Sequence, residues 1–172
     1  MATEIEYELT YLAKELPAGL EACESKILAD VYFPGTPEVH PKLHIRRKGD
    51  SYELTKKTII DENDLGTQQE ETIALSAEEY EALAQGYGKK VSKRRYYYPY
   101  QGLTSEVDVF DGDLSGLILV DFEFPDAEAK AAFVMPDFCV ADVTQEEFVA
   151  GGYLAGKTIA DIQTELGRFL DV

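Results

Sequence analysis

Charged and apolar residues alternate along most of this chain with the period of two that marks a β-strand. In residues 4–11, acidic and apolar side chains take turns, so the acids share one strand face. Seven further segments have strand-like patterns, and eight strands are enough to close a small barrel. The predicted strands span residues 4–11, 25–33, 42–47, 52–59, 70–75, 91–98, 104–110 and 117–124.

Helix signals lie between and after these strands. Ser76 followed by Glu79 is a capping box that predicts a helix to about Gln85. The same spacing in Thr144 and Glu147 predicts another helix start. Further helices are expected at 17–24, within 126–133 and over 158–170. With no internal repeat or long linker, residues 1–172 are expected to form a single α+β domain.

The two faces of the predicted strands differ sharply in polarity. One face is apolar, as in Val107 and Val109 or Phe122 and Phe124, and the other is charged with both signs. These charged faces are too rich in candidate functional groups to serve only as a solvated surface. We therefore predict an inside-out barrel, with charges lining a lumen and helices packed on the apolar outside.

Composition narrows the possible partners. The chain has 33 acidic and 16 basic residues, a formal net charge of −17, which disfavours nucleic-acid binding because that affinity comes mainly from Lys and Arg. No apolar run approaches the roughly 18 residues of a membrane span, and the acidic N-terminus resembles no signal or transit peptide. A soluble, cytoplasmic protein is expected. Cys23 and Cys139 have no metal-ligand or redox spacing.

The few basic residues are concentrated. Eleven of the 16 lie in residues 42–57 and 89–95, within strand-like alternation. Such clustering favours binding of a compact anion or pairing with the protein's own carboxylates.

Three strands carry paired acids two residues apart: Glu4 and Glu6, Glu106 and Asp108, and Asp121 and Glu123. This spacing puts both members on one face, about 6–7 Å apart. If these faces meet, oxygen ligands of this kind suit Mg²⁺ or Mn²⁺, although solvent-facing acidic strands remain the alternative.

Several motifs, in this order, resemble those of the CYTH domain, or triphosphate tunnel metalloenzyme, family. Residues 4–6 are similar to the start of its ExExK signature, and 44–57 (HIRRKGDSYELTKK) to its RxR…G…TxK hairpin. Residues 93–96 (KRRY) resemble its KxRY strand. Residues 106–112 and 121–124 resemble its paired acidic strands, and 156–160 loosely its C-terminal lysine segment.

The resemblance implies an eight-stranded antiparallel tunnel that binds a triphosphate and uses Mg²⁺ or Mn²⁺. It implies metal-dependent hydrolysis of inorganic tripolyphosphate or an organic triphosphate, with Glu8 and Lys57 as catalytic residues. The implied metal ligands are Glu4, Glu6, Glu106, Asp108, Asp121 and Glu123. The implied phosphate-binding residues are His44, Arg46, Lys57, Lys93, Arg95 and Lys157.

Three positions depart from the family pattern. Glu8 replaces the signature lysine, His44 replaces the first arginine of RxR, and Thr72 stands where a second glutamate after Glu70 is expected. These departures keep two other functions open: a non-catalytic or slow triphosphate- or nucleotide-binding module, and a class IV adenylate cyclase. The exact substrate and the choice between monomer and homodimer also stay open.

Overall fold

Eight antiparallel strands form a closed barrel in the computed structural model, which describes residues 2–36, 38 and 40–170. Around the ring the order is β1-β5-β4-β3-β2-β6-β7-β8 and back to β1. The strands are β1 (Ala2–Ala13), β2 (Ser25–Phe33), β3 (Leu43–Lys48), β4 (Ser51–Ile59), β5 (Thr67–Leu75), β6 (Lys89–Tyr100), β7 (Leu103–Phe110) and β8 (Ile118–Phe124).

The long first strand closes the ring. Its first half pairs with β5, Glu4 opposite Glu70, and its second half pairs with β8, Glu8 opposite Glu123. A short ninth strand, β9 (Cys139–Asp142), then pairs with the end of β1. The predicted eight-stranded antiparallel barrel is confirmed. The sequence analysis missed β9 because four residues are too few to establish a period of two.

The apolar strand faces point outward and are covered by helices, as predicted. Helix α1 (Ala77–Ala84) begins at the Ser76–Glu79 capping box and places Tyr80 against Val31 and Ile45. Beside helix α2 (Ala127–Ala132), Phe133 packs against Phe122, with ring centroids 4.5 Å apart. Burial of these apolar groups stabilises the barrel from outside, which leaves the interior to polar side chains.

Other helix predictions were wrong in detail. The Thr144 hydroxyl donates to Asp142 and accepts from the Thr10 backbone, so it begins no helix; a 3₁₀ turn (Glu147–Val149) and helix α3 (Gly151–Leu154) follow. The region 17–24 holds only a 3₁₀ turn (Leu20–Ala22).

The C-terminal segment is broken where one helix was expected. A 3₁₀ turn (Ile159–Ile162) precedes helix α4 (Gln163–Leu166). Ile162 in the turn and Leu166 in the helix are both buried against the barrel. The segment therefore packs as two short elements and not as one continuous helix. Among the described residues, no helix has the length and apolar character needed to cross a membrane.

Candidate active site

A cavity of about 570 Å³ lies inside the barrel and is lined by side chains from all eight strands. Within the described part of the chain, its walls carry more carboxylates than ammonium and guanidinium groups. Its charged lining residues on the strands are Glu4, Glu6, Glu8, Arg46, Lys48, Glu53, Lys57, Glu70, Lys93, Arg95, Glu106, Asp108, Asp121 and Glu123.

The charges are segregated around the ring. Four adjacent strands, β5, β1, β8 and β7, carry the acidic wall: Glu4, Glu6, Glu8, Glu70, Glu106, Asp108, Asp121 and Glu123. The other four strands are β6, β2, β3 and β4, and three of them, β6, β3 and β4, supply the cations of the basic wall: Arg46, Lys48, Lys57, Lys93 and Arg95. Asp30 and Glu53 are acids on basic-wall strands. The barrel thus brings together acids and bases that lie far apart in the sequence.

One junction between the walls is an ion-pair cluster around Asp108. Arg95 lies opposite Asp108 in the β6–β7 pairing and donates two hydrogen bonds of 2.7 Å to its carboxylate, while Lys93 Nζ also contacts it. Burial opposes ionisation of Asp108, but Arg95 and Lys93 outweigh it and lower its pKa. With its oxygens engaged in this way, Asp108 serves to position two cations.

A second buried pair was missed by the sequence analysis. Asp30 on β2 accepts two hydrogen bonds from the Arg46 guanidinium, at 2.7 and 2.8 Å. Asp30 is 3% exposed. Asp30 is the only charged residue in the otherwise apolar segment 27–33, which hints at a buried partner. The sequence does not show that β3, which carries Arg46, pairs with this strand.

Lys57 forms the other junction between the walls. Its Nζ lies 2.6 Å from Glu6 Oε2 and 3.4 Å from Glu70 Oε2. Burial raises the pKa of Glu6 to about 7; Lys57 opposes this shift, and the Glu70 and Glu8 carboxylates add to it. Burial disfavours the charged form of Lys57, but the Glu8, Glu6 and Glu70 carboxylates together raise its pKa. Lys57 is therefore held as a cation by these carboxylates.

Glu4, Glu6 and Glu70 form a cluster suited to a divalent cation. Each offers a carboxylate oxygen, and the three oxygens lie within 4.8 Å of one another. Glu70 was not among the predicted ligands. Its position opposite Glu4 depends on the β1–β5 register, which the sequence pattern does not give. Thr72, two residues later, donates a 2.8 Å hydrogen bond to Glu70 and thereby orients it.

A second group of carboxylates lies on β1 and β8. Glu8 is directly opposite Glu123, and Thr10 donates to Asp121 at 2.7 Å and to Glu8 at 3.4 Å. Burial and the Glu8 carboxylate both raise the pKa of Asp121. Burial, Glu106 and Glu8 do the same for Glu123. These shifts show a local excess of negative charge.

The local backbone fixes Glu8 beside this group. Its N–H donates a 2.7 Å hydrogen bond to the carbonyl of Gly66. A Cβ at position 66 would collide with the Glu8 carbonyl, so only glycine permits this approach.

Glu106, across the sheet from Asp121, contacts Arg95.

Of the two remaining predicted binding residues, one lines the cavity and the other lies outside it. His44 lines the cavity, is 3% exposed and stacks on Tyr32 with ring centroids 4.5 Å apart. Lys157 lies outside the cavity. Its Nζ is 4.5 Å from the Tyr153 ring centroid, and it borders a separate external groove with Lys90 and Asp113.

Inorganic triphosphatases are among the proteins with sequences related to this chain. This chain is 34% identical over 114 residues to the inorganic triphosphatase of Nitrosomonas europaea, a match that covers 65% of this chain and 73% of that one. The chain belongs to this inorganic triphosphatase family. An inorganic triphosphatase of Acetivibrio thermocellus is 39% identical over 54 residues, which are 31% of this chain and 33% of that one. No protein-family model matches the chain.

Solved structures agree on the fold. The crystal structure of an inorganic triphosphatase has a TM-score of 0.63 and 29% identity, covering 88% of this chain and 95% of that one. A putative adenylate cyclase from Bacillus halodurans has a TM-score of 0.58 at 20% identity, covering 95% and 98%. At that identity, the second comparison shows the barrel fold alone.

Proposed function

We propose that this chain is a divalent-metal-dependent triphosphatase of the CYTH, or triphosphate tunnel, type. The observation that carries the proposal is the cavity itself, in which a wall of carboxylates faces a wall of guanidinium and ammonium groups. Mg²⁺ together with Arg and Lys is a recurrent way to hold a polyphosphate. The names of the relatives, both inorganic triphosphatases, favour inorganic tripolyphosphate as the substrate.

The acidic wall fits a hard divalent cation. Glu4, Glu6 and Glu70 offer clustered oxygens, and burial together with neighbouring carboxylates raises the pKa values of Glu6 and Glu123. These residues, with Asp121 and Glu106, would hold Mg²⁺ or Mn²⁺. When bound, such an ion supplies Lewis-acid polarisation of phosphoryl oxygens and a more acidic bound water.

The basic wall would hold the anion. Arg46 and Arg95 are each fixed by a bidentate carboxylate, so their guanidinium planes are oriented before a ligand arrives. Such preorganisation lets them neutralise phosphate charge without reorganisation during the reaction. Lys57 and Lys93 add positive charge nearby.

Hydrolysis requires water to attack a terminal phosphorus while the bond to the bridging oxygen breaks, which releases phosphate and pyrophosphate. The attacking water loses a proton. Glu8, opposite Glu123 in the β1–β8 pairing, is the carboxylate that we assign to accept it. Glu8 stands at the position of the family lysine. In this assignment it acts as a proton acceptor or an additional metal ligand.

The test is phosphate release from tripolyphosphate by the purified protein between pH 6 and 10, with Mg²⁺, Mn²⁺ or EDTA. We expect release that depends on the metal. Absence of release in a folded protein that still binds tripolyphosphate would replace the hydrolase with a binding module. Formation of cyclic AMP from ATP would reassign the chain to the cyclases.

A further inference from the structure

His44 lies in the cavity wall without a charged neighbour beside it in the sheet. In the register of β2, β3 and β4 it lies between Tyr32 and Thr55. Its ring stacks on Tyr32 with an interplanar angle of 26°, and the Thr55 hydroxyl is already hydrogen-bonded to Thr72 at 2.9 Å. Neither neighbour offers the imidazole a counter-charge.

The imidazole also has an unused polar atom. Nδ1 of His44 is buried and has no hydrogen-bond partner among the described residues, although the ring lines the cavity. A buried polar atom left without a partner costs about 1–3 kcal/mol. The described protein groups alone therefore leave the imidazole of His44 unsatisfied.

The nearest charged groups are already engaged with one another. Asp30 and Arg46 form their bidentate pair, and Lys57 is held by Glu6 and Glu70. Burial lowers the pKa of His44 to about 4; Arg46 and Lys57 act in the same direction, and Asp30 and Glu70 oppose them. At neutral pH the ring is uncharged in the ligand-free protein.

We propose that His44 takes up a proton from solvent when a polyphosphate anion occupies the cavity, so that an imidazolium contacts the bound phosphate. This inference rests on the proposed function. The anion would supply a counter-charge for the imidazolium and an acceptor for a ring N–H, neither of which the neighbouring residues provide. No covalent bond changes in this step apart from the N–H bond that the incoming proton forms. In this chain, a proton-dependent cation would then stand in place of the arginine that the family pattern has at this position.

The linkage has a definite sign. Because the ligand raises the pKa of His44, the added affinity is present below the pKa of the complex and is lost as pH rises through it. An opposite charge within about 4–6 Å shifts a pKa by roughly 1–3 units. For a shift of about two units, His44 should therefore strengthen tripolyphosphate binding about four-fold at pH 5.5 relative to pH 7.5.

Other groups near the cavity also titrate in this range, among them Glu6 and the ligand's own phosphates. A matched substitution removes their contributions. We would titrate tripolyphosphate into metal-depleted wild type and His44→Gln by calorimetry at pH 5.5 and 8, in two buffers of different ionisation enthalpy. At pH 5.5, wild type should take up at least about half a proton more than His44→Gln does. At pH 8 the two proteins should take up equal numbers of protons.

A second measurement needs no change at position 44. The chain has two histidines, so their ring resonances are easily resolved, and His40→Gln assigns them. Saturating tripolyphosphate should raise the titration midpoint of His44 by about two pH units.

The outcomes separate the two proposals. Tight binding with equal proton uptake in wild type and His44→Gln at pH 5.5, or with an unmoved His44 midpoint, would overturn the role of His44 and leave the proposed function intact. Failure of wild type to bind tripolyphosphate at either pH would overturn both.

Discussion

The two walls of the cavity differ in how their charges are balanced. On the basic wall, each predicted phosphate-binding cation except Lys157, which lies elsewhere, has a carboxylate within ion-pair distance. On the acidic wall, Glu4 and Glu123 form no ion pair within the described residues. The protein therefore pairs these cations with its own carboxylates and leaves further carboxylates facing the cavity.

This difference indicates how the two walls would cooperate. A cation paired with a carboxylate attracts a phosphate less than an unpaired one, because the pair has little net charge. A divalent ion on the acidic wall would offset the carboxylates and make the same cations more attractive to an anion. Metal and triphosphate should therefore strengthen each other's binding, as linkage requires.

The largest effect should come from separating a pair that joins the walls. Asp108→Asn removes the carboxylate that accepts two hydrogen bonds from buried Arg95 and also contacts Lys93, and it should lower the free energy of unfolding by about 3–5 kcal/mol. Urea denaturation measures this change. Glu123→Gln is the matched control, because it removes an unpaired acid and should not destabilise the protein. Equal effects of the two substitutions would contradict the contrast between the walls.

Glu123→Gln should nevertheless abolish most of the turnover. Loss of one acidic-wall oxygen should reduce metal-stimulated phosphate release at least about 100-fold, the scale for removing one preorganised electrostatic group. The control is Glu71→Gln, the same chemical change on β5 at a residue that does not line the cavity. Full activity of Glu123→Gln would remove the acidic wall from the mechanism.

A smaller change should follow from making the acidic wall less acidic. Glu8→Lys places an ammonium opposite Glu123, which should lower the pKa of that carboxylate and strengthen metal-free tripolyphosphate binding about ten-fold. Glu8→Gln should produce an intermediate gain. Calorimetric affinities give the comparison, and phosphate release tests whether the lysine also raises turnover. Unchanged affinity in both variants would mean that Glu8 does not face the bound anion.

The sequence predicted features that depend on neighbouring residues better than features that depend on contacts between distant strands. The period-two pattern predicted the barrel, its charged interior and most cavity residues, because strand alternation is a local property. The Asp30–Arg46 pair and the addition of Glu70 to the Glu4–Glu6 cluster depend on strand register, which is set by long-range closure. The capping pattern at Thr144 failed because its hydroxyl bonds to Asp142 and Thr10 instead.

Lys157 shows the limit of carrying a role by resemblance. Its segment matches the family only loosely, and the side chain packs over Tyr153 outside the cavity. The positions with stronger motif matches, such as Arg95 and Lys93, do line the cavity. Side-chain direction in a turn has no periodic signal, so a lysine there is poorly placed by sequence alone.

The smallest predicted effect concerns the proton on Glu6, at the Lys57 junction. Its pKa is about 7 in the folded protein, above its ordinary value of 4.5, so ionisation at high pH opposes folding and protonation relieves that penalty as pH falls. Between pH 8 and 6 without metal, wild type should therefore gain about 1 kcal/mol of stability relative to Glu6→Gln. Comparing the two proteins cancels the opposite contribution of His40 and His44, whose pKa values are lowered on folding. Urea unfolding at both pH values measures the difference. A constant gap between the two proteins would show that Lys57 keeps Glu6 ionised, in which case both walls would have their charges balanced at this junction.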